Sequence, residues 1–183
     1  MARLTLRLFG GFQARFGERG LTFPTRKAQA LLAYLAVRPE RAYTRNKLAT
    51  MFWGGAGKDQ ARQSLRQSLS ALRSAFAPSP PRILVIDGDR VTLDPSSIDV
   101  DVAKFERLAS RDSPRDLEQA AVLYVGDLLD GVDISEEPFE EWLRGERARL
   151  RETAVQVLTR LVPHQAKSGS SESNRKSSVI QAT

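Results

Sequence analysis

The segment from Lys58 to Phe76, KDQARQSLRQSLSALRSAF, constrains the possible fold of this chain more than any other segment. Its apolar residues recur every three or four positions, which places them on one side of an α-helix. They are Ala61, Leu65, Leu69, Leu72 and Phe76. An apolar helix face of this length requires a core to cover it. We therefore expect a helix that is held along one face and exposed along the other.

The opposite face of this helix carries cations, amides and hydroxyls, and no Asp or Glu lies between Gln60 and Phe76. Arg and Gln donate paired hydrogen bonds to guanine and adenine edges in the DNA major groove. We predict that five residues of this face contact bases: Arg62, Gln63, Arg66, Gln67 and Ser70. A solvated helix that happens to be basic is the alternative interpretation.

Charge is divided unevenly along the chain. Residues 1–80 contain 14 Lys or Arg and 3 Asp or Glu, whereas residues 81–163 contain 11 and 18. The basic half suits a polyanion, because Lys and Arg release condensed counterions when they bind phosphates. The acidic half would be repelled by the same surface. We therefore expect two domains with different partners.

Composition excludes several classes of protein. Cysteine is absent, so the chain has no disulfide framework and no thiolate metal site. The N-terminal residues are too short and too interrupted by Arg7 for a signal peptide, and no stretch approaches the length of a membrane span. We expect a soluble cytoplasmic protein without a membrane partner.

The residues before the basic helix predict a small sheet and two helices. Leu4, Leu6 and Leu8 alternate with polar residues, and four glycines follow by residue 20, which indicates a small antiparallel sheet. Helices are predicted from Pro24 to Val37 and from Thr44 to about Trp53. The connection Gly54–Gly57 then leads into the basic helix, an arrangement typical of a helix-turn-helix.

A hairpin is predicted directly after the basic helix. Asp87-Gly88 lies between two β-rich runs, which is a strong hairpin signal, and a hairpin in this place is a wing. We predict phosphate contacts for six cations: Arg26, Lys27, Arg45, Lys47, Arg73 and Arg90. Alternatively, Arg26 and Lys27 are solvated cations that do not contact DNA. The negative charges of Asp87 and Asp89 would oppose a phosphate contact by Arg90.

The second half is predicted to be helical. Apolar residues at helical spacing indicate helices around Phe105 and Leu108, from Ser113 to Gly126 and from Pro138 to Val162. Such helices are typical of either a helical-repeat array or a helical hairpin packed on the first domain. We expect domains at residues 1–95 and 96–163, and a disordered tail at residues 164–183.

Catalytic and metal-binding patterns are weak throughout the sequence. His164 is the single histidine and lies at the edge of the expected tail, which argues against a catalytic triad or a histidine-rich metal site. Gly57-Lys58 lacks the rest of a phosphate-binding loop, and the acidic residues of 87–101 lack the spacing of a calcium loop. We expect no enzyme activity, no metal and no cofactor.

The sequence resembles bacterial transcriptional activators of the antibiotic-regulatory-protein type. The segments LTLRLFGGFQARFGERGLTFPTRKAQALLAYLA, RNKLATMFW and ARQSLRQSLSALRSAF resemble their OmpR/PhoB-type winged helix-turn-helix. The segment LEQAAVLYVGDLLDGVDISEEPFEEWLRGERARLRETAVQVLTRL resembles the bacterial transcriptional activator domain that follows it, which is tetratricopeptide-like. The resemblance covers about residues 3–162.

The resemblance implies an α+β winged helix-turn-helix, with a small antiparallel sheet and a C-terminal wing, followed by an all-α tetratricopeptide-like segment. It also implies binding of double-stranded operator DNA, often as a homodimer on repeated sites, and recruitment of RNA polymerase. We expect three departures from the family pattern: no receiver domain before residue 3, a wing with the sequence GDRVTL, and a short activator domain. We expect a truncated helical array to be marginally stable or to self-associate.

Two interpretations of function follow. The first is a sequence-specific DNA-binding regulator, in which the helix at residues 58–76 recognises the operator and the winged-helix surface contacts polymerase. The second is a helical protein-interaction module, or a truncated regulator, with weak and non-specific DNA binding.

Overall fold

The computed structural model describes residues 3–77 and 83–180, with side chains as far as residue 162. Its first elements are three short strands, β1 (Leu4–Arg7), β2 (Gln13–Phe16) and β3 (Arg19–Gly20). β2 pairs antiparallel with both β1 and β3. Alternate residues of β1 point into the core, where Leu4 and Leu6 are fully buried. The strand predicted from the alternating leucines is confirmed.

Three helices follow this sheet: α1 (Arg26–Val37), α2 (Arg45–Trp53) and α3 (Lys58–Phe76). Threonine side chains cap the N-termini of α1 and α2. The Thr25 hydroxyl accepts a hydrogen bond from the Ala28 amide, and the Thr44 hydroxyl accepts one from the Lys47 amide. The apolar stripe of α3 is buried along its length. The predicted helix-turn-helix is therefore confirmed.

The wing consists of β5 (Leu84–Asp87) and β6 (Arg90–Leu93), which form an antiparallel hairpin. Gly88 has a φ of +57°, a conformation that the turn requires and that glycine adopts without strain. A further strand, β4 (Tyr43–Thr44), pairs with β6 and so joins the wing to the start of α2. The hairpin predicted from Asp87-Gly88 is confirmed.

The N-terminal sheet gains a fourth strand from beyond the wing. This strand, β7 (Ile98–Val100), pairs parallel with β1, so the sheet is mixed and not purely antiparallel. β7 is not predictable from the sequence, since a three-residue strand carries almost no periodicity. A boundary at residue 95 would separate β7 from its sheet, and the domain limits remain a prediction.

The second half contains three helices, α4 (Asp101–Ala109), α5 (Pro114–Leu123) and α6 (Glu137–Ile180). The carboxylate of Asp101 accepts hydrogen bonds from the amides of Leu8 and Phe9, which fixes the start of α4 to the end of β1. Burial raises the pKa of Asp101, although these amide hydrogen bonds oppose that rise. The helical second half is therefore confirmed.

The backbone of α6 differs from the predicted disordered tail, because it is helical as far as Ile180. A proline inside a helix lacks one backbone hydrogen bond, and the helical backbone continues past Pro163. Residues 181–183 lie outside the described part of the chain.

The two halves share one core. The rings of Phe52, on α2, and Phe139, on α6, are both fully buried, with centroids 5.3 Å apart. The backbone amide of Leu129, in the loop before α6, donates to the carbonyl of Leu8 at 2.7 Å. The helical half is therefore packed on the winged helix.

Candidate nucleic-acid interface

The base-reading set predicted on α3 lies together on the exposed side of the helix. Arg62, Gln63, Arg66, Gln67 and Ser70 are all exposed, whereas Ala61, Leu65, Ser68, Leu69 and Leu72 are buried. The helix is thus held by one face, and its cations and amides point away from the protein. A face of this kind has the shape and the donors needed to enter a major groove.

Gln67 has a different setting from the others in the set. It borders a groove of about 330 Å³ between α3 and the start of α1, and the lining also includes Trp53, Ser64 and Ser68. At about 100° per residue, Gln67 lies on the α1 side of the exposed face, and Arg62 lies on the other side. The two residues would therefore approach different parts of a bound duplex.

Four of the predicted phosphate contacts are exposed: Arg26, Lys47, Arg73 and Arg90. Arg26 lies in the first turn of α1, Lys47 in the first turn of α2, Arg73 in the last turn of α3 and Arg90 on the wing. The structure therefore places one of these cations on each of α1, α2, α3 and the wing.

The other two predicted phosphate contacts are engaged or partly buried. The Lys27 ammonium donates to Glu136 with a distance of 2.5 Å and lies 5.7 Å from the centre of the Trp53 ring. Arg45 is half-buried, its Nε atom has no partner among the described residues, and its backbone amide donates to the backbone carbonyl of Asp89. A phosphate contact by Lys27 would compete with Glu136.

Ion pairing separates the cations of this surface from those at the junction of the two halves. Within the described residues, Arg26, Arg62, Arg66, Arg73 and Arg90 take part in no ion pair. Their charges are therefore not neutralised by carboxylates of the described chain.

At the junction, cations are paired. Arg38, directly after α1, pairs with Glu106 of α4 at 3.0 Å, and Arg149 of α6 pairs with both Glu106 and Glu146 at 2.5 and 2.6 Å. These residues join the winged helix to the helical half. These pairs are not apparent from the sequence, since Arg38 and Glu106 lie 68 positions apart and share no local pattern.

The connection between α2 and α3 is exposed and depends on a glycine. A Cβ atom at Gly54 would lie 2.7 Å from the carbonyl oxygen of Thr50, so any side chain there would force the turn to shift. The amide of Ala56 donates to the carbonyl of Trp53 and closes the turn. The exposed connection at residues 54–57 is thus held in a defined shape.

Neither a metal site nor a membrane span is present among the described residues. No group of three or more His, Cys, Asp or Glu side chains in this part of the chain is placed to hold a metal ion. Over the same residues, no helix has the length and apolar character needed to cross a membrane.

Two protein families match the chain in sequence. Residues 21–89 match the C-terminal domain of transcriptional regulatory proteins, and residues 100–180 match the bacterial transcriptional activator domain. Both families consist of transcription-regulator domains. A comparison with curated proteins finds no match.

A solved structure shares the fold of this chain. The structure of Mycobacterium tuberculosis EmbR in complex with a low-affinity phosphopeptide aligns with a TM-score of 0.68 and 22% sequence identity. The alignment covers 87% of this chain and 44% of the EmbR chain, so the present chain spans less than half the length of that protein. At this identity the likeness concerns the fold alone.

Proposed function

Since this chain belongs to the bacterial transcriptional regulators that join an OmpR/PhoB-type winged helix-turn-helix to a bacterial transcriptional activator domain, we propose that it binds operator DNA sequence-specifically and activates transcription. The two matched regulator-type domains support a role in transcription regulation, and DNA binding belongs to the proposal. The specificity, the activation and the residues involved are the proposal.

The observation that carries this proposal is the set of unpaired cations around α3. Arg62 and Arg66 are exposed on a helix whose other face is buried, and no described carboxylate pairs with them. Cations that are not paired with carboxylates contribute most to the free energy of DNA binding, because they can neutralise phosphates and release condensed counterions. Unpaired cations also occur in the helical half, for example Arg144, but the net charge there is negative.

The roles of the side chains follow from their positions. In the proposal, α3 enters the major groove, where Arg62, Gln63, Arg66, Gln67 and Ser70 contact base edges. Arg26, Arg45, Lys47, Arg73 and Arg90 contact phosphates and fix the orientation of the helix, and Lys27 does so when it leaves Glu136.

Activation would require a second surface. We place contact with RNA polymerase on the exposed connection at residues 54–57, and the helical half then modulates the position of the winged helix through their shared core. Binding to repeated operator sites as a homodimer and a cytoplasmic location belong to the same proposal.

The experiment that tests this function is a selection of genomic fragments by the purified chain. It is done at about 150 mM salt with competitor DNA, because non-specific electrostatic binding is suppressed under those conditions. A recurring motif, with half-sites about one helical turn apart if the protein binds as a dimer, is the expected result. Weak enrichment without a motif would contradict sequence-specific binding.

A second candidate function rests on the helical half. Three side chains on one side of α6 are largely exposed, namely Val155, Leu158 and Val162, with 58%, 55% and 65% of their surface accessible. Their spacing of three and four residues forms an apolar stripe of the kind that binds proteins. If polar substitutions on this stripe abolish activation and leave DNA binding unchanged, the helical half is a protein-interaction module.

A further inference from the structure

The exposed face of α3 begins with an acidic residue. Asp59 lies in the first turn of α3, is exposed and takes part in no ion pair among the described residues. At about 100° per residue, Asp59, Gln63, Arg66 and Ser70 fall within about 60° of one another around the helix axis. Asp59 is therefore the first member of the row that faces away from the core.

A carboxylate in this position opposes general binding to DNA. It lies on the surface that would face the polyanion, where its charge is repelled by every phosphate regardless of sequence. Within a duplex, this repulsion is offset when the carboxylate accepts a hydrogen bond from a donor on a base edge. The first residues of a recognition helix are also those that reach base edges in helix-turn-helix proteins.

The chemistry of the groove selects one base. In the major groove, cytosine presents its N4 amino group as a donor, and carboxylates accept from it. Adenine also presents an amino donor, but its adjacent N7 is an acceptor, so adenine is matched by the amides of Asn and Gln, which donate and accept together. Guanine presents two acceptors, and thymine presents an acceptor and a methyl group.

We propose that Asp59 recognises a cytosine of the operator by accepting a hydrogen bond from its amino group, and so determines specificity at one base pair. This inference rests on the DNA-binding function proposed above. In this proposal Asp59 also excludes incorrect sites. Its carboxylate disfavours every DNA site that lacks a hydrogen-bond donor at that position.

A structural role for Asp59 predicts a different result. An acidic residue in the first turn of a helix is stabilised by the helix dipole whether or not DNA is bound. If this were its whole role, substitution would lower thermal stability, and the relative preference among bases would not change. Base preference therefore separates the two roles.

The test is a fragment selection carried out in parallel with the full-length wild type, Asp59→Asn, Asp59→Ala and the matched control Asp130→Asn. Asp130 is exposed in the loop before α6, so its substitution removes the same charge from outside α3. Circular dichroism checks that each variant is folded. Affinity for random DNA is measured alongside the selected motif.

We expect a C·G pair at one position of the wild-type motif to be affected by both Asp59 substitutions. Asp59→Ala should reduce the preference for cytosine there about tenfold, and Asp59→Asn should shift it toward adenine, which asparagine binds through N6 and N7. Both variants should bind random DNA more tightly than the wild type, because a repulsive charge is gone. Asp130→Asn should match the wild type in both measurements.

Two other outcomes would overturn the inference in distinguishable ways. An unchanged motif at every position in both Asp59 variants would overturn the cytosine contact and leave the proposed function intact. Failure of the wild type to select any motif would overturn the proposed function, and the cytosine contact with it.

Discussion

The indole ring of Trp142, on α6, lies edge-on to the phenol ring of Tyr34, on α1, with 4.7 Å between the ring centroids. Tyr34 belongs to the winged-helix half and is 3% exposed, so the helical half supplies part of its cover. Phe139 extends the same contact by packing on Phe52 of α2. The position of the winged helix is therefore coupled to that of the helical half through a shared aromatic core.

Phe139→Ala should destabilise both halves together. Phe139 is fully buried, and truncation of a buried phenylalanine costs about 3–5 kcal/mol through lost transfer energy and the cavity left behind. We expect one unfolding transition, at lower denaturant than in the wild type, when circular dichroism and tryptophan fluorescence are followed. Val155→Ala, at an exposed site of α6, is the control and should change stability by less than about 0.5 kcal/mol. Separate transitions for the two halves would contradict the coupling.

Tyr34 should make stability fall at high pH. Burial raises the pKa of Tyr34 to about 12, with a smaller contribution from the neighbouring Tyr43, so the folded state resists ionisation of this phenol. Its contribution to stability is complete below about pH 10, the usual tyrosine pKa, and is lost as the pH rises toward about 12. Urea denaturation of the wild type and Tyr34→Phe at a series of pH values measures this. The phenylalanine variant should lose less stability over that window, and parallel curves would exclude a role for Tyr34.

Arg66→Ala should relax specificity at one base pair. Arg66 is exposed near the middle of α3, and loss of a paired contact to guanine costs about 1–3 kcal/mol. The expected loss is large on the selected motif and small on random DNA, as measured by fluorescence anisotropy at fixed salt. Arg144→Ala removes an exposed cation from α6 and should bind as the wild type does. Equal losses on specific and random DNA would remove Arg66 from the base-reading set.

Lys47→Ala should weaken binding to all sequences alike. Lys47 lies in the first turn of α2, is exposed and has no ion pair among the described residues. Loss of one phosphate contact should reduce the slope of log affinity against log salt by about 1. Lys104→Ala, in the helical half, provides a matched loss of charge. If the salt-dependence slope falls as much for Lys104→Ala as for Lys47→Ala, the weaker binding results from the change in net charge and not from a lost phosphate contact.

Glu136→Gln should tighten binding to any DNA. Glu136 holds the Lys27 ammonium at 2.5 Å, and removal of its charge frees that cation for a phosphate. We expect higher affinity for specific and random DNA and a steeper salt dependence. Glu137→Gln changes the neighbouring exposed carboxylate and is the control. The gain should disappear when Lys27→Ala is added to Glu136→Gln, and a gain that persists would exclude Lys27 as the phosphate contact.

The exposed face of α3 could be predicted from the sequence because the repeat of a helix is a local property. The spacing of Leu65, Leu69 and Leu72 decides which face of α3 is buried, and the exposed face follows from the helix repeat. The state of each cation could not be predicted in the same way. Lys27 and Arg66 look alike in sequence, but only Lys27 meets a carboxylate from the other half of the chain.

The sequence by itself determined the elements whose signals lie within a few residues. Threonine caps begin α1 and α2, Asp87-Gly88 turns the wing, and the apolar repeat sets the length and orientation of α3. Only the tertiary structure decided that β7 joins the first sheet and that Glu136 meets Lys27 across 109 positions of the chain. Such contacts depend on how separate elements pack, and the free energy of packing leaves no periodic pattern in the sequence near either residue.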